Sequence, residues 1–215
     1  MDELYKAMLI LGPTGSGKTP FGVQLETQHL WGRNWHHFDF GEKLRNAAAA
    51  ASAAANKESK FLSKEELSII DNSLKTNALL EDKDFPIAEK ILKNFLIEKN
   101  IDPILDVVIL NGLPRHIGQA EAVGKIMDVR TVINFSTYPS VLLERIKSNV
   151  GGDRSERTDD SIEEISRKLE IFKTQTMPLL DYYKNLDITI LEVEVDEDTI
   201  PLYIIQSLQS MKCTI

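Results

Sequence analysis

The 215-residue chain holds one cysteine, Cys213, near its C-terminus. That excludes an intramolecular disulfide framework and fits a reducing compartment. No apolar run approaches the ~20 residues that cross a bilayer as a helix, so no membrane association is expected. The start, Met1-Asp2-Glu3, lacks the basic residues and apolar stretch of a secretory signal, and a cytoplasmic location is the expectation. Positive charge is in deficit: 25 lysines and arginines stand against 33 acidic residues, a formal net charge of −8. This balance argues against a surface that coats nucleic acid and leaves any phosphate binding to local clusters. No internal repeat is present, and after Gly41 the chain runs to Asn100 without a glycine.

What is present begins with an apolar run, Ala7 to Leu11. It enters Gly12-Pro13-Thr14-Gly15-Ser16-Gly17-Lys18-Thr19, spaced G-x-x-x-x-G-K-T, and a helix-compatible segment follows. This is the phosphate-cradling loop of nucleotide-binding proteins. Its glycines let backbone N–H groups turn inward around phosphate oxygens, and the helix behind points its positive end at them. Lys18 would reach the outer phosphates, and the Thr19 hydroxyl would ligate Mg²⁺. A polyphosphorylated ligand is implied.

The rest of the chain alternates between strand and helix signals. Phe21 to His29 reads as a helix closed by Gly32, with Pro20 tolerated in its first turn. His36 to Phe40 reads as a second strand. His36 and His37 face opposite ways on it and have no carboxylate or cysteine at ligand spacing, so they are not read as metal ligands. In the glycine-free stretch, Ala47 to Ala55 is an alanine-rich helix, and Ser63-Lys64-Glu65-Glu66 is a capping box before Leu67, Ile70 and Leu74. Phe85 to Ile97 carries a helical apolar stripe. About sixty residues between strands are too many for one crossover helix, which predicts a helical insertion domain over residues 41–100.

Ile104 to Leu110 reads as a buried strand ending at Asn111-Gly112-Leu113-Pro114-Arg115, with a helix running on through Met127. Thr131 to Phe135 reads as a fourth strand, and Pro139 opens a helix from Val141 to Lys147. Asp159-Asp160-Ser161 starts a long helix with Ile165, Leu169 and Phe172 on one side. Ile188 to Val195 alternates apolar and acidic residues, as suits a last strand near a sheet edge. Asp198 is placed as the cap of a terminal helix. Trp31 and Trp35 read as packing over the sheet edge, and Tyr182-Tyr183 as helix-to-core packing. Five β units with helical crossovers imply a three-layer α/β fold: a five-stranded parallel sheet, helices on both faces, and a site at the strands' carboxyl ends.

At this point the chain resembles an adenylate kinase or a close nucleoside monophosphate kinase relative. That family's signature runs from the phosphate loop to G-D-x-L-R, then D-G-F-P-R with a glutamine four residues on, then R-x-D-D before a long helix. The similar runs here are Gly41-Glu42-Lys43-Leu44-Arg45, Asn111-Gly112-Leu113-Pro114-Arg115, Gln119-Ala120-Glu121-Ala122 and Arg157-Thr158-Asp159-Asp160. Pro178-Leu179-Leu180-Asp181-Tyr182-Tyr183 is also similar, so the likeness covers almost the whole chain. It implies a phosphate-loop kinase core from residues 1–40 and 101–215. Residues 41–100 would bind the nucleoside monophosphate, and a short lid without zinc would span 148–160.

By that resemblance, Gly12, Gly15, Ser16, Gly17, Lys18 and Thr19 hold ATP, with Arg145 against its adenine. Arg45, Arg115 and Arg157 grip the acceptor monophosphate and the transferring group. Gln119 reads the acceptor base, whose pocket includes Phe40, Ala78, Leu79, Leu80 and Gly112. Lys18, Arg115, Arg157 and Lys168 form the catalytic set. Thr19 binds Mg²⁺ and Asn111 does so through water. The implied reaction is ATP + AMP to two ADP, by a monomer whose only partners are nucleotides. Arginine suits this work because its planar fork grips phosphate oxygens in pairs.

Departures from the pattern leave alternatives open. Asn111 replaces an aspartate, Asn149 a lid arginine, and Phe40 a small or hydroxylated residue. On the long helix the family's phosphate-binding arginine falls on Lys168, while Arg167 stands one residue earlier. Neighbouring helical positions point about 100° apart, so only one of the two faces the cleft. A UMP- or CMP-type acceptor, or a nucleotide-binding module with little turnover, are the alternative readings.

Overall fold

The computed structural model describes residues 3–52, 61–152 and 161–211. Its strands are β1 (Tyr5–Leu11), β2 (Asn34–Asp39), β3 (Asp106–Asn111), β4 (Met127–Ser136) and β5 (Thr189–Glu194). Along the chain the helices are α1 (Lys18–Glu26), α2 (Phe40–Ser52), α3 (Lys64–Thr76), α4 (Phe85–Glu98) and α5 (Ile117–Val123). After them come α6 (Pro139–Ser148), α7 (Ile162–Ile171), α8 (Pro178–Asn185) and α9 (Pro201–Gln209). Two compact units result, Met1–Phe38 with Asp102–Ile215, and Asp39–Ile101.

In the first unit the sheet order is β2-β3-β1-β4-β5, and the strands are parallel with helices on both faces, as the sequence predicts. β1 is central, and Ala7 to Leu11 are all buried because both of its faces are covered. Side chains alternate between faces. Met8 and Ile10 join Val107, Ile109, Ile133 and Phe135 against Phe21 and Leu25 of α1 and Ile204, Ile205 and Leu208 of α9. Phe21 meets Phe135 edge to face at 5.4 Å, a geometry that adds roughly 0.5–1.5 kcal/mol beyond burial. β5 lies at the sheet edge, where its alternating acidic residues face water. Trp31 and Trp35 pack edge to face at 6.0 Å, and their indole N–H groups donate to the carbonyls of Met211 and Leu30.

Several boundaries differ from the sequence reading, each for a local reason. α1 ends at Glu26, not His29, because the Thr27 hydroxyl donates to the Gln24 carbonyl at 2.7 Å. β3 begins at Asp106. Ile104 and Leu105 stay exposed, because their N–H groups donate to Asp102 Oδ1 in a tight turn. The helix after Arg115 stops at Val123, since the Ile126 carbonyl already accepts from Tyr5 in the sheet. β4 therefore starts at Met127. A register shift opposite Ala7 and Met8 leaves Arg130 as an extra exposed residue, which interrupts the apolar alternation before Thr131. Asp198 does not cap α9. That helix starts at Pro201, a residue preorganised for a first turn, while the Asp198 N–H turns back to Asp196 Oδ1 at 3.2 Å. α7 gives way at Phe172–Thr176 to a π-helical turn before Pro178.

The second unit is helical. Asp39 Oδ1 accepts the Glu42 N–H at 2.9 Å as α2 begins. Ser63 and Glu66 form the capping box of α3, and Lys90 of α4 reaches Glu66 Oε1 at 2.7 Å. α4 buries Ile87, Ala88, Ile91, Leu92 and Phe95. The Lys43 ammonium stands 5.7 Å from the centre of the Phe95 ring. The alanine-rich helix is described as far as Ser52; Ala53 to Ala55 lie outside the described residues. No described helix is long and apolar enough to cross a membrane.

Candidate functional site

The parallel register brings the carboxyl ends of β1 and β3 side by side, with Ile10 opposite Asn111. Gly12 to Gly17 leave β1 there and turn into α1. Gly15 has φ +82°, and a Cβ on it would stand 2.8 Å from Ile146 Cγ1, so the loop closes tightly only with glycine. Ser16 is fully buried and its hydroxyl donates to the Pro13 carbonyl at 2.9 Å. The Lys18 ammonium folds over the loop, donating to the carbonyls of Gly12 at 2.7 Å and Pro13 at 2.6 Å. These carbonyls hold the cation within the loop's own concavity, where phosphate oxygens would compete for it.

Asn111 is 4% exposed, and its amide nitrogen donates to Thr19 Oγ1 at 3.1 Å. The loop threonine and the asparagine that ends β3, 92 residues apart in the chain, are thus in direct contact. Beyond Asn111, the backbone of Arg115 is held from two directions. Its N–H donates to Gln119 Oε1 at 2.9 Å, and its carbonyl accepts the Thr176 hydroxyl at 2.9 Å. Gln119 is 1% exposed and Thr176 5%, so Arg115 leaves a backbone fixed by two buried side chains. Thr176 belongs to the π-helical turn, whose extra residue per turn brings its hydroxyl to that carbonyl.

Arg145 of α6 is 4% exposed. Its Nε donates to the Gly15 carbonyl at 3.2 Å, and Nη1 to those of Asp196, Glu197 and Thr199 at 2.6, 3.2 and 2.9 Å. The guanidinium edge therefore ties the phosphate loop to the segment after β5. Asp196 is held below the usual carboxylate range, first by its hydrogen bond from Thr199. On α7, Lys168 is partly buried, one turn from the buried Ile165, whereas Arg167 is exposed. Asn149 adopts a left-handed conformation, φ 49°, at the end of α6, one that asparagine tolerates better than most side chains.

In the second unit, Arg45 is exposed on α2 and folds back over Gly41: a Cβ there would stand 3.3 Å from Arg45 Nη1. Its charge thus lies along the first turn of α2, the positive end of the helix. Phe40 is 4% exposed. Ala78, Leu79 and Leu80 form irregular chain after α3, and the Ala78 carbonyl accepts the Ser73 hydroxyl at 2.8 Å. Arg157, Asp159 and Asp160 lie outside the described residues, as does most of the segment assigned to a lid.

Sequence reading missed three features of the first unit. Thr176 carried no signal, because a π-helical turn has no composition of its own. The four carbonyls on Arg145 are backbone groups and have no signature in side-chain identity. Gly22, in the middle of α1, was the one visible hint: a Cβ on it would collide with the His37 ring.

Residues 10–188 match the family model described as adenylate kinase. Among curated proteins, the chain is 28% identical over 209 residues to an adenylate kinase of Treponema denticola, covering 85% of this chain and 88% of that protein. It is 26% identical over 187 residues to an adenylate kinase of Parvibaculum lavamentivorans, covering 82% and 78%. It is 29% identical over 182 residues to one of a Mycobacterium species, covering 82% and 85%.

Proposed function

The chain belongs to the adenylate kinase family and is a nucleoside monophosphate kinase; on that premise we propose that it transfers the γ-phosphoryl group of ATP to AMP. The observation that carries the reading is the contact of Thr19 with Asn111 beside the folded Lys18, which puts a cation and two polar side chains at one strand-end cradle. AMP is favoured as acceptor by the run Gln119-Ala120-Glu121-Ala122 and by the likeness to adenylate kinases. The carbonyl of Gln119 is fixed by the Arg115 N–H, so its amide is oriented before a base arrives.

Phosphoryl transfer asks a protein for alignment and for neutralisation of moving charge. In the proposed mechanism Lys18 leaves the carbonyls of Gly12 and Pro13 for the outer phosphates of ATP. Arg115, on its fixed backbone, and Arg45, at the start of α2, take the acceptor phosphate. Arg157 is assigned by resemblance to the transferring phosphoryl group, and Lys168 adds a point charge from α7. Arg145 orders the segment after β5 next to the phosphate loop, so the donor's base would meet a shaped wall. Phe40, Ala78, Leu79 and Leu80 are the proposed acceptor-base residues of the second unit, and Gly112 that of the first.

The cradle's side chains, a hydroxyl and an amide, carry oxygens that suit a hard cation held mainly by phosphates, with the amide nitrogen turned to Thr19 in this structure. Among the described residues no group of three His, Cys, Asp or Glu could hold a metal by itself. Thr19 would hold Mg²⁺ directly and Asn111 through water, and the ion would supply neutralisation of phosphate charge. Because Asn111 carries no negative charge, magnesium should bind more weakly here than beside a carboxylate.

The test is diphosphate formation from a panel of monophosphates with ATP and Mg²⁺. AMP should be the fastest acceptor, and Lys18→Ala should lower kcat by ~10² or more. Phe40 is the feature that favours another base: turnover confined to UMP or CMP would replace AMP in the reading. No diphosphate from any acceptor would remove the reaction.

A further inference from the structure

Helix α1 carries a glycine at its centre, Gly22, where alanine would favour the helix. A Cβ there would sit 2.3, 2.4 and 2.7 Å from Cδ2, Nε2 and Cγ of His37, so the imidazole rests on the bare backbone of the helix that leaves the phosphate loop. The strand that carries the ring is tied to the same helix: the His37 backbone N–H donates to Glu26 Oε1 at 2.9 Å. From this slot His37 Nε2 lies 3.3 Å from Asn111 Nδ2, the same atom that donates to Thr19 Oγ1. β2, β3 and α1 thus contribute one line of polar atoms that ends on the hydroxyl assigned to magnesium.

A carboxylate at the end of β3 would present acceptor oxygens only, and either could face Thr19. An amide has two unlike ends, one donating and one accepting. Which end meets Thr19 decides whether its hydroxyl receives a hydrogen or gives one away. A hydroxyl that gives its hydrogen away keeps both lone pairs for a hard cation. His37 Nε2 and Thr19 Oγ1 share one amide atom, so the imidazole tautomer bears on the choice. With its ring hydrogen on Nδ1, Nε2 accepts and the amide NH₂ faces both neighbours. With the hydrogen on Nε2, the amide oxygen faces both.

We propose that His37 is a positioning residue for the metal–nucleotide site: its ring tautomer sets which end of the Asn111 amide faces Thr19. The proposal rests on Thr19 being the metal's ligand. It also explains why a glycine stands in α1, since any larger residue at position 22 would push the ring off the line.

Calorimetric titration of the full chain with ATP, with MgCl₂ or with EDTA, measures how far magnesium tightens binding. His37→Phe, which keeps a ring without nitrogen, should cut that tightening tenfold or more. His37→Gln, with both a donor and an acceptor, should restore most of it. In an Asn111→Asp background, His37→Phe should change it by less than twofold, because a carboxylate needs no orienting. The long-range ¹H–¹⁵N spectrum of the His37 ring gives an independent readout and serves even if the phenylalanine variant does not fold. With ATP and Mg²⁺ the ring hydrogen should sit on Nε2. Equal losses in both backgrounds, no loss in His37→Phe, or a ring hydrogen that stays on Nδ1 would overturn the proposal. If magnesium fails to tighten ATP binding in the unmodified chain, the assignment of Thr19 falls, and this proposal with it.

Discussion

Lys168 and Arg167 sit side by side on α7, and their surroundings separate them. Lys168 is partly buried near Ile165 and Arg167 is exposed. A cation on the partly buried side loses less of its field to water than one in full solvent. Lys168→Met should therefore lower kcat tenfold or more, while Arg167→Met changes it less than threefold, in steady-state assays at saturating nucleotides. The opposite pattern would put Arg167 at the phosphates. Identity could be read at this scale without a fold: the Lys18-Thr19 pair, Asn111 and the arginines all stand at recognisable spacings. Orientation could not. Spacing says nothing of where a side chain points when the chain folds back, as Arg145 does onto four carbonyls.

Elements whose signals are local were legible. The capping box of α3 is one: Ser63 Oγ accepts the Glu66 N–H at 3.2 Å, and Glu66 Oε2 accepts the Ser63 N–H at 2.8 Å. The Lys90 hydrogen bond, with the Ser63 N–H behind it, holds the Glu66 carboxyl below its ordinary range. Ser63→Ala should cost about 1 kcal/mol, read as a lower Tm in thermal unfolding. Lys90 should hold Glu66 in place through that change, so Ser63→Ala combined with Glu66→Gln should lower Tm further. Boundaries set by distant partners were not legible in the same way. Where α5 ends depends on Tyr5 claiming the Ile126 carbonyl, and β4 starts before Thr131 because β1 pairs with Met127, Asp128 and Val129.

Across the whole first unit, the sheet is tied together at the end away from the phosphate loop by Asp106. Its carboxylate accepts from the Asn34 amide at 3.1 Å and the Asp102 N–H at 2.9 Å, and His36 Nε2 lies 3.4 Å away, at ion-pair distance without hydrogen-bond alignment. Burial resists its ionisation, but the hydrogen bonds from Asp102 and Asn34, aided by His36, outweigh that and hold the carboxyl below its usual range. A carboxyl so held stabilises the fold fully above the unfolded value and loses that contribution as pH falls through the folded one. The urea midpoint should therefore begin to drop below about pH 5. Asp106→Asn should lower the midpoint at pH 7 and flatten its fall toward acid. An unchanged acid limb in Asp106→Asn would assign the pH dependence to other carboxylates.

From the order of residues alone came the strand–helix alternation, the phosphate loop, the glycine-free helical stretch and the spacing of the charged residues. Each depends on neighbours within a few positions, or on a count between them. Folding alone determined that Thr19 touches Asn111, that His37 lies against Gly22, and that Thr176 reaches the Arg115 carbonyl. Those contacts join residues 92, 15 and 61 positions apart. Only the register of parallel strands and the packing of helices across them bring such pairs into contact.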